Sequence, residues 1–237
     1  MKASLVMIEP SGHFCSDCAV RNFAVCASLD AAELRELEHL GRRVRFAAGE
    51  TVFSEEDITS SFYNVLDGVM RLYKLLPDGR RQIVGFALPG DFLGMNVSGR
   101  HNVSADAIGT VTVCQFAKAP FGRFIEDRPH LLRRINELAI RELGQARDHM
   151  VLLGRRSADE KIATFLLGWR DRLCTLKAPS DTVPLPMSRQ DIADYLGLTI
   201  ETVSRTFTKL ERHGAIAIIH GGISLIDAAR VEALAAA

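Results

Sequence analysis

Residues 187–216, MSRQDIADYLGLTIETVSRTFTKLERHGAI, predict a helix, a tight turn and a second helix. Ser188 and Asp191 have the spacing of a capping box, in which each side chain binds the other residue's backbone N–H group. Gly197 can take the left-handed backbone conformation with which many helices end, and the hydroxyl group of Thr199 can cap the helix that follows. This order of elements is typical of the helix-turn-helix, whose second helix enters the major groove of DNA.

The second predicted helix has one apolar side and one polar side. Residues three and four apart share a side of a helix, which groups Ile200, Val203, Phe207 and Leu210. The opposite side carries Glu201, Ser204, Arg205 and Thr208. Arginine can donate two hydrogen bonds to guanine, and glutamate can accept one from cytosine. An ordinary solvated helix face has a similar composition, so the preceding helix and turn are what favour DNA reading.

We therefore predict that several residues of this motif contact DNA. They are Glu201, Ser204, Arg205 and Thr208 of the polar side, Ser188 and Thr199 at the helix starts, and the phosphate candidates Arg189 and Lys209. The run AIAIIHGGISLI that follows alternates around Gly221-Gly222, which is typical of a β-hairpin. A hairpin in this place predicts the wing of a winged helix-turn-helix, which lies near the phosphate backbone.

The segment from Val44 to Phe116 has a different pattern, with short runs rich in β-branched and aromatic residues. Leu76-Pro77-Asp78-Gly79 has the composition of a hairpin turn. The expected fold is therefore α+β, with an N-terminal antiparallel β-roll, a long dimerisation helix and a C-terminal winged helix-turn-helix. The expected domains are a cysteine-rich loop at 1–28, a β-roll sensor at 29–128, the dimerisation helix at 129–154 and the DNA-binding domain at 155–237.

The long helix is predicted from apolar residues that recur in steps of three and four between Pro129 and Gly154. This stripe consists of Leu132, Ile135, Ala139, Leu143, Ala146, Met150 and Leu153. A narrow apolar stripe is what two helices need to pair as a coiled coil. Homodimerisation is the favoured interpretation, and packing of the helix on its own β-roll is the alternative.

Three cysteines near the start of the chain, Cys15, Cys18 and Cys26, form the pattern C-x2-C-x7-C. Thiols at this spacing suit a metal or iron–sulfur site, and Cys114 in the run VTVCQF is the candidate fourth ligand. Four thiolates suit zinc as well as a cubane cluster, and His13 is a further candidate ligand for zinc. Taken alone, Cys114 also fits a buried strand cysteine that acts as a small hydrophobe.

Composition argues against several classes of protein. The formal net charge is zero, which disfavours a protein that coats nucleic acid by bulk charge. No apolar run approaches the roughly 18 residues of a membrane span and no secretory signal is recognisable, so we expect a cytoplasmic protein without membrane contact. An odd number of cysteines, five, disfavours a disulfide framework. The C-x2-C pattern also occurs as the exchanging dithiol of redox enzymes, but this chain lacks the βαβ context that such motifs usually occupy. We therefore expect no enzymatic activity.

These segments together resemble the FNR branch of the CRP/FNR superfamily of transcription regulators, over nearly the whole chain. The resemblance rests on the cysteine spacing, which is similar to that of alphaproteobacterial members, and on the E-x-x-S-R motif at Glu201, Ser204 and Arg205. It implies a cyclic-nucleotide-binding-like β-roll and a [4Fe-4S] cluster on Cys15, Cys18, Cys26 and Cys114. It further implies a homodimer that binds TTGAT-type inverted repeats in double-stranded DNA under low oxygen, with RNA polymerase as a partner.

The same resemblance disfavours a cyclic nucleotide as the effector. The turn Gly90-Asp91-Phe92-Leu93-Gly94 is kept, but Met95 follows it in place of the glutamate of CRP. Asn102-Val103 stands where CRP has the Arg-Ser pair that binds the phosphate. Ala146 lies where enterobacterial members carry an acidic residue that opposes a cluster-free dimer. The alternative inputs are haem or nitric oxide, zinc, or no ligand at all.

Overall fold

The computed structural model describes residues 6–7, 15, 17–96, 98–176, 178 and 180–236. The chain divides into two compact units, one formed by Met1–Leu75 with Val84–Gly144 and the other by Leu76–Ile83 with Gln145–Ala237. The long helix crosses this division, so the domain limits expected from the sequence stay predictions.

Twelve strands and seven α-helices make up the described part of the chain. The strands are β1 Val6–Met7, β2 Gly41–Phe46, β3 Thr51–Phe53, β4 Ser61–Asp67, β5 Met70–Leu75, β6 Arg81–Ala87, β7 Phe92–Leu93, β8 Ser104–Ala107, β9 Val111–Ala117, β10 Thr182–Pro184, β11 Ile216–Ile219 and β12 Gly222–Leu225. The helices are α1 Ala31–Leu40, α2 Lys118–Glu126, α3 Pro129–Arg155, α4 Ala158–Cys174, α5 Arg189–Leu196, α6 Ile200–Arg212 and α7 Ala228–Ala236, with a 3-10 helix at Val25–Ser28. None of the described helices has the length and apolar character needed to span a bilayer.

The β-roll consists of two sheets with a shared core. Their strand orders are β1-β2-β9-β4-β7 and β3-β8-β5-β6. Both sheets contribute core residues, among them Val44, Val65, Val111 and Val113 from the first and Phe53, Met70, Ala105 and Ala107 from the second. Side chains alternate along a strand, so Cys114 and Phe116 of β9 leave the sheet on the opposite face from Val113.

That opposite face is covered by a second core. Phe121 of α2 is 1% exposed, and its ring contacts the rings of Phe62, Phe92, Phe116 and Phe124. The same core contains Leu34 and Leu37 of α1, Leu131 and Ile135 of α3, and Cys15, Cys26 and Cys114. The helices and the N-terminal cysteines therefore share one apolar layer, which we call the cysteine core.

The second unit contains the winged helix-turn-helix. The predicted wing hairpin is formed by β11 and β12, and β10 adds a third strand that the sequence analysis did not predict. Trp169 of α4 is 3% exposed and donates its indole N–H group to the carbonyl oxygen of Pro184 at 2.8 Å. This bond joins α4 to β10. The expected α+β fold is confirmed, with an antiparallel β-roll, a long helix and a winged helix-turn-helix, whereas dimerisation through the long helix stays a prediction.

Replacement of Gly222 by alanine tests the contact between the wing and β10. A Cβ atom at this position would lie 2.4 Å from the backbone oxygen of Val183 and 3.0 Å from the Cα atom of Pro184. Because backbone atoms yield little, we expect Gly222→Ala to lower the free energy of unfolding by about 1–3 kcal/mol, the usual cost of overpacking. Urea unfolding of the full chain, followed by circular dichroism, measures the change.

Gly168→Ala is the matched control in the same unit. Gly168 lies inside α4, and a Cβ atom there would meet no heavy atom within 4 Å. Alanine favours a helix over glycine by about 0.8–1 kcal/mol, so this variant should be more stable than the wild type. A Gly222→Ala protein as stable as the wild type would contradict the close approach of β10.

Candidate functional site

The helix-turn-helix has the predicted caps at its helix ends. The backbone N–H group of Asp191 donates to Ser188 Oγ at 3.0 Å, and that of Ser188 donates to Asp191 Oδ2 at 3.0 Å. Gly197 ends α5 with φ 61° and ψ 41°, the left-handed conformation. The N–H group of Thr202 donates to Thr199 Oγ1 at 3.2 Å, which caps α6. The residues singled out in the sequence therefore build the turn.

Helix α6 buries one side and exposes the other. Val203, Phe207 and Leu210 are at most 2% exposed, whereas Ile200, expected on the same side, is 38% exposed. The predicted DNA-contacting residues of this helix, Glu201, Ser204, Arg205, Thr208 and Lys209, are all exposed, as are Ser188 and Thr199. Their contacts with DNA stay predictions.

Both predicted phosphate-binding cations already have partners within the unit. The Arg189 guanidinium lies 3.3 Å from the centroid of the Phe207 ring, a cation–π contact, and burial lowers the pKa of Arg189. Lys209 donates from Nζ to a carboxylate oxygen of Asp159, in the first turn of α4. The Asp159 carboxylate therefore competes with any DNA phosphate for the same ammonium group.

The C-terminal end of α5 is held by side chains from three other segments of the second unit. The donors and acceptors are Gln82 Nε2 to Asp194 O at 2.7 Å, His149 Nε2 to Tyr195 O at 2.8 Å, and Lys161 Nζ to Leu196 O at 3.1 Å. His149 also stacks on Tyr195 with ring centroids 4.1 Å apart, and burial lowers the pKa of His149. Lys161 is only 7% exposed, at the negative end of the helix dipole, where a cation is favoured.

Arg81 contacts two carboxylates of α5. Its guanidinium lies 2.8 Å from Asp191 Oδ1 and 2.8 Å from Asp194 Oδ2. Asp191 is 3% exposed and also caps the helix, so this nearly buried carboxylate receives both backbone and guanidinium hydrogen bonds. Removal of one partner from such a pair leaves a buried charge, which typically costs about 3–5 kcal/mol. The segment Leu76–Ile83 is therefore an integral part of the DNA-reading unit.

The wing is attached directly to α6. The backbone N–H group of Ile218 donates to Glu211 Oε1 at 3.0 Å. Gly221 closes the hairpin with a φ of 74°, and Ile218, Ile219 and His220 are exposed at its tip. The position of the tip is consequently fixed to the helix that carries the predicted base contacts.

All four predicted cluster ligands lie in one apolar pocket of the first unit. Cys15, Cys26 and Cys114 are each at most 8% exposed, and Cys18 is half-buried against the same cysteine core. Three of these residues belong to the N-terminal loop, whereas Cys114 belongs to β9. The fifth cysteine, Cys174, lies at the end of α4 in the other unit. The four cysteines therefore share one core, and their role as ligands stays a prediction.

The four thiols influence one another electrostatically. Each of the six pairs is near enough for one thiolate to raise the pKa of another. Burial, followed by repulsion from Cys26, Glu38 and Cys18, raises the pKa of Cys15 to about 12. Burial raises the pKa of Cys26 to about 11, and burial also raises that of Cys114. These three thiols are therefore protonated at neutral pH unless a cation favours the thiolate form.

Polar side chains stand beside Cys114 on the sheet. Arg43 of β2 and Asn64 of β4 lie directly opposite Cys114 in the strand register, so all three side chains leave the sheet on the same face. Asn64 is 3% exposed, and its Oδ1 atom has no hydrogen-bond partner among the described residues. The same is true of the buried Ser28 Oγ atom. Such atoms mark places where a ligand or water completes the bonding.

Among the described residues, no three His, Cys, Asp or Glu side chains are grouped so that they can hold a metal ion. The assignment of the four cysteines as ligands of zinc or of a cluster therefore stays a prediction. His13, the further candidate for zinc, lies outside the described residues.

The predicted dimerisation residues of α3 fall into two environments. Leu132, Leu143 and Met150 are 48%, 50% and 63% exposed, and Ala139 and Ala146 are exposed as well. Ile135 packs into the cysteine core and Leu153 is half-buried. Ile140 and Val151, which the apolar stripe left out, are 70% and 59% exposed. An exposed apolar strip therefore runs along α3, and its role in dimerisation stays a prediction.

Two protein-family models match the chain. Residues 185–216 match the model for bacterial regulatory proteins of the crp family, and residues 43–128 match the model for the cyclic nucleotide-binding domain. The first match covers the helix-turn-helix and the second covers most of the β-roll.

Known transcription regulators are similar to the chain over most or all of its length. The nitrogen fixation regulation protein FixK of Bradyrhizobium diazoefficiens is 88% identical over 237 residues, which is 100% of both chains. The transcriptional activatory protein AadR of Rhodopseudomonas palustris is 59% identical over 93% of this chain and 92% of its own. The structure of FixK2 from Bradyrhizobium japonicum has a TM-score of 0.77 and 37% identity, and the match covers 83% of this chain and 98% of that chain. These relatives are regulators rather than enzymes, and together with the helix-turn-helix they show that the chain belongs to the CRP/FNR family of DNA-binding transcription regulators.

Proposed function

We propose that this regulator senses oxygen through a [4Fe-4S] cluster and binds TTGAT-type inverted repeats as a homodimer under low oxygen. The observation that carries the proposal is that Cys15, Cys26 and Cys114 belong to one apolar core, against which Cys18 also packs. The relative with 88% identity is a nitrogen fixation regulation protein, so we include genes of nitrogen fixation among the targets. Such a protein acts in the cytoplasm, where its DNA lies.

The residues of the pocket fit a cluster. Four cysteine thiolates are the ligand set of a [4Fe-4S] cluster. Ser28 lies two residues after Cys26 in the same 3-10 helix, and its buried Oγ atom lacks a hydrogen-bond partner among the described residues, which leaves it available to a bound group.

The four ligands would connect two parts of the first unit. A bound cluster would be an oxygen-labile connection between these parts. Cys15, Cys18 and Cys26 of the loop and Cys114 of β9 would hold it, and the loop would thereby be held against the sheet. Without it, Cys15, Cys26 and Cys114 would be protonated and this connection would be absent. A ligand of this kind can shift the DNA-competent population only as far as it favours one state.

We assign base reading to Glu201, Ser204 and Arg205. Arg205 uses one N–H group within its helix, since Nε donates to Glu201 O at 3.4 Å, and four N–H groups remain for guanine. Ser188, Arg189, Thr199, Thr208 and Lys209 lie around them and are assigned to further DNA contacts. In a two-fold dimer, the two reading helices would meet the major groove about one helical turn apart, as an inverted repeat requires.

We assign dimerisation to the exposed apolar strip of α3. Helix α3 has 27 residues and is about 40 Å long, sufficient for a coiled-coil pair. Ala146 brings no charge to this strip, so the dimer should depend less strictly on the cluster than in relatives with an acidic residue there.

Three described residues of the β-roll stand where CRP carries groups that bind its cyclic nucleotide. Met95 packs against the cysteine core, Val103 packs against the core of the roll, and Asn102 is exposed. None of these residues supplies the carboxylate or the guanidinium that would bind ribose and phosphate. We therefore propose that no cyclic nucleotide is bound. RNA polymerase is the expected partner of the exposed turn between Leu76 and Arg81, where Asp78 and Arg80 face solvent.

Anaerobic spectroscopy tests the cluster. We expect freshly purified or reconstituted protein to contain iron and acid-labile sulfide and to show a visible chromophore that air bleaches. Cys114→Ala should lose the chromophore, because it removes the one ligand from β9. Cys174→Ala is the matched control and should keep it, since Cys174 lies in the other unit. Colourless protein with zinc or no metal would overturn the cluster and favour another input, such as haem or nitric oxide, on the same DNA-binding regulator.

Asp159→Asn tests the role of Lys209. Removal of this carboxylate frees the Lys209 ammonium for a phosphate, so DNA should bind more tightly. The slope of log K against log salt concentration should steepen by about 0.9 for each chain, the contribution of one neutralised phosphate. Titration of a labelled operator at several salt concentrations measures both quantities.

Two further variants separate this effect from a general change in charge. Asp171→Asn removes an equal charge from α4, twelve residues or about 18 Å along the helix, and should leave the slope unchanged. In a Lys209→Gln background, Asp159→Asn should have little effect. A steeper slope in that background, or an equal effect of Asp171→Asn, would contradict the role of Lys209.

A further inference from the structure

We infer that Arg134 is the positioning residue through which the state of the cysteine loop reaches the dimerisation strip of α3. Its contacts with the loop are independent of any cluster, whereas their regulatory consequence rests on the proposed function. The inference starts from a guanidinium that belongs to α3 but bonds the backbone of the loop.

Arg134 holds the loop at one point. Its Nη2 atom donates to the carbonyl oxygen of Phe23 at 2.8 Å, and its Nε atom donates to that of Ala24 at 3.4 Å. These two carbonyls immediately precede the 3-10 helix Val25–Ser28, which carries Cys26. The Arg134 side chain is 17% exposed, and Glu137 lies one helical turn away at 3.3 Å from its Nη1 atom. The guanidinium thus occupies a fixed position between helix and loop.

The bond to Phe23 is the stronger of the two. Ala24 is fully buried, and its carbonyl oxygen also accepts from the Ala27 N–H group at 3.2 Å, so it keeps a donor without Arg134. Arg134 Nη2 lies 2.8 Å from the carbonyl oxygen of Phe23, and a charged donor gives a stronger bond than a neutral one. The loop conformation that presents both carbonyls to Arg134 is therefore favoured over one that turns them away.

The same part of α3 carries the exposed strip on its other side. Leu131, Ile135 and Leu138 pack into the cysteine core, whereas Leu132 and Ala139 are exposed. Helix backbone between these positions is rigid, so a shift on the loop side moves the exposed side as well. A loop held by the cluster would keep its carbonyls on Arg134 and fix the strip in one position. Without the cluster, the loop carbonyls would be held less firmly on Arg134, and the position of the exposed strip would be less restricted.

The expected size of the effect follows from linkage. Binding of the cluster should change the dimer dissociation constant by a definite factor. In regulatory proteins, such a factor is typically about 5- to 150-fold. Arg134→Gln removes the charge and the two-pronged donor, so the factor should fall towards one. Arg134→Lys keeps the charge but offers a point donor in place of the planar fork, and should give an intermediate factor.

The first measurement needs no cluster. Metal-free full-length protein is alkylated at neutral pH, and mass spectrometry follows the rate at Cys26, with Cys174 as the internal reference. Arg134→Gln should alkylate several-fold faster at Cys26 than the wild type. Arg133→Gln, which changes the exposed neighbouring arginine of the same helix, should match the wild type. Equal rates in the two variants would overturn the attachment of the loop to Arg134.

The second measurement tests the coupling itself. Sedimentation of anaerobically reconstituted and metal-free protein gives the ratio of the two dimer dissociation constants for each variant. Arg134→Gln with normal iron and sulfide content but an unchanged ratio would overturn the inference, because a merely structural role predicts that result. If wild-type protein assembles no cluster, the proposed function and the coupling both fail, and the alkylation rates still decide whether Arg134 holds the loop.

Discussion

Three backbone carbonyl groups at the C-terminal end of α5 set the arrangement of the DNA-reading unit. A helix cannot satisfy its last carbonyls by itself, and an unbonded buried carbonyl costs about 1–3 kcal/mol. Here the donors are Gln82, His149 and Lys161. Gln82 comes from the segment Leu76–Ile83, His149 from the last part of α3 and Lys161 from α4. The first helix of the reading motif is thereby fixed to three segments that are distant in sequence. The orientation of α6 follows, because Gly197 and Thr199 leave little freedom in the turn.

The buried cysteine thiols differ from these hydrogen-bonded carbonyl groups. The carbonyls of α5 are satisfied within the chain, whereas the thiols of Cys15, Cys26 and Cys114 are buried in a largely apolar core. Burial and mutual repulsion keep Cys15 and Cys26 protonated, with pKa values of about 12 and 11. A cationic ligand would reverse both effects at once, because it favours the thiolate form and screens the charges from one another. The protonated thiols are therefore favoured without a ligand, and a cationic ligand favours the thiolates.

The sequence predicted those features that depend on local chemistry. Capping residues, the left-handed Gly197 and the grouping of polar residues on α6 all follow from a few neighbouring side chains. Strand β8 escaped prediction, since Ser104–Ala107 contains no β-branched or aromatic residue and is held by burial of Ala105 and Ala107. The partners of Lys209 and Arg134 also escaped, because both pairs join residues that only the folded chain brings together. Periodicity likewise placed Ile135 on the outer strip, although the cysteine core takes that side chain.

Trp169 has a consequence for how the protein is observed. It is the single tryptophan of the chain, and it lies buried in the second unit with its indole N–H group on Pro184. Intrinsic indole fluorescence therefore reports on the DNA-reading unit alone, while the β-roll and its cysteine pocket remain silent in that signal. The chain carries a natural optical label that separates the melting of one unit from that of the other.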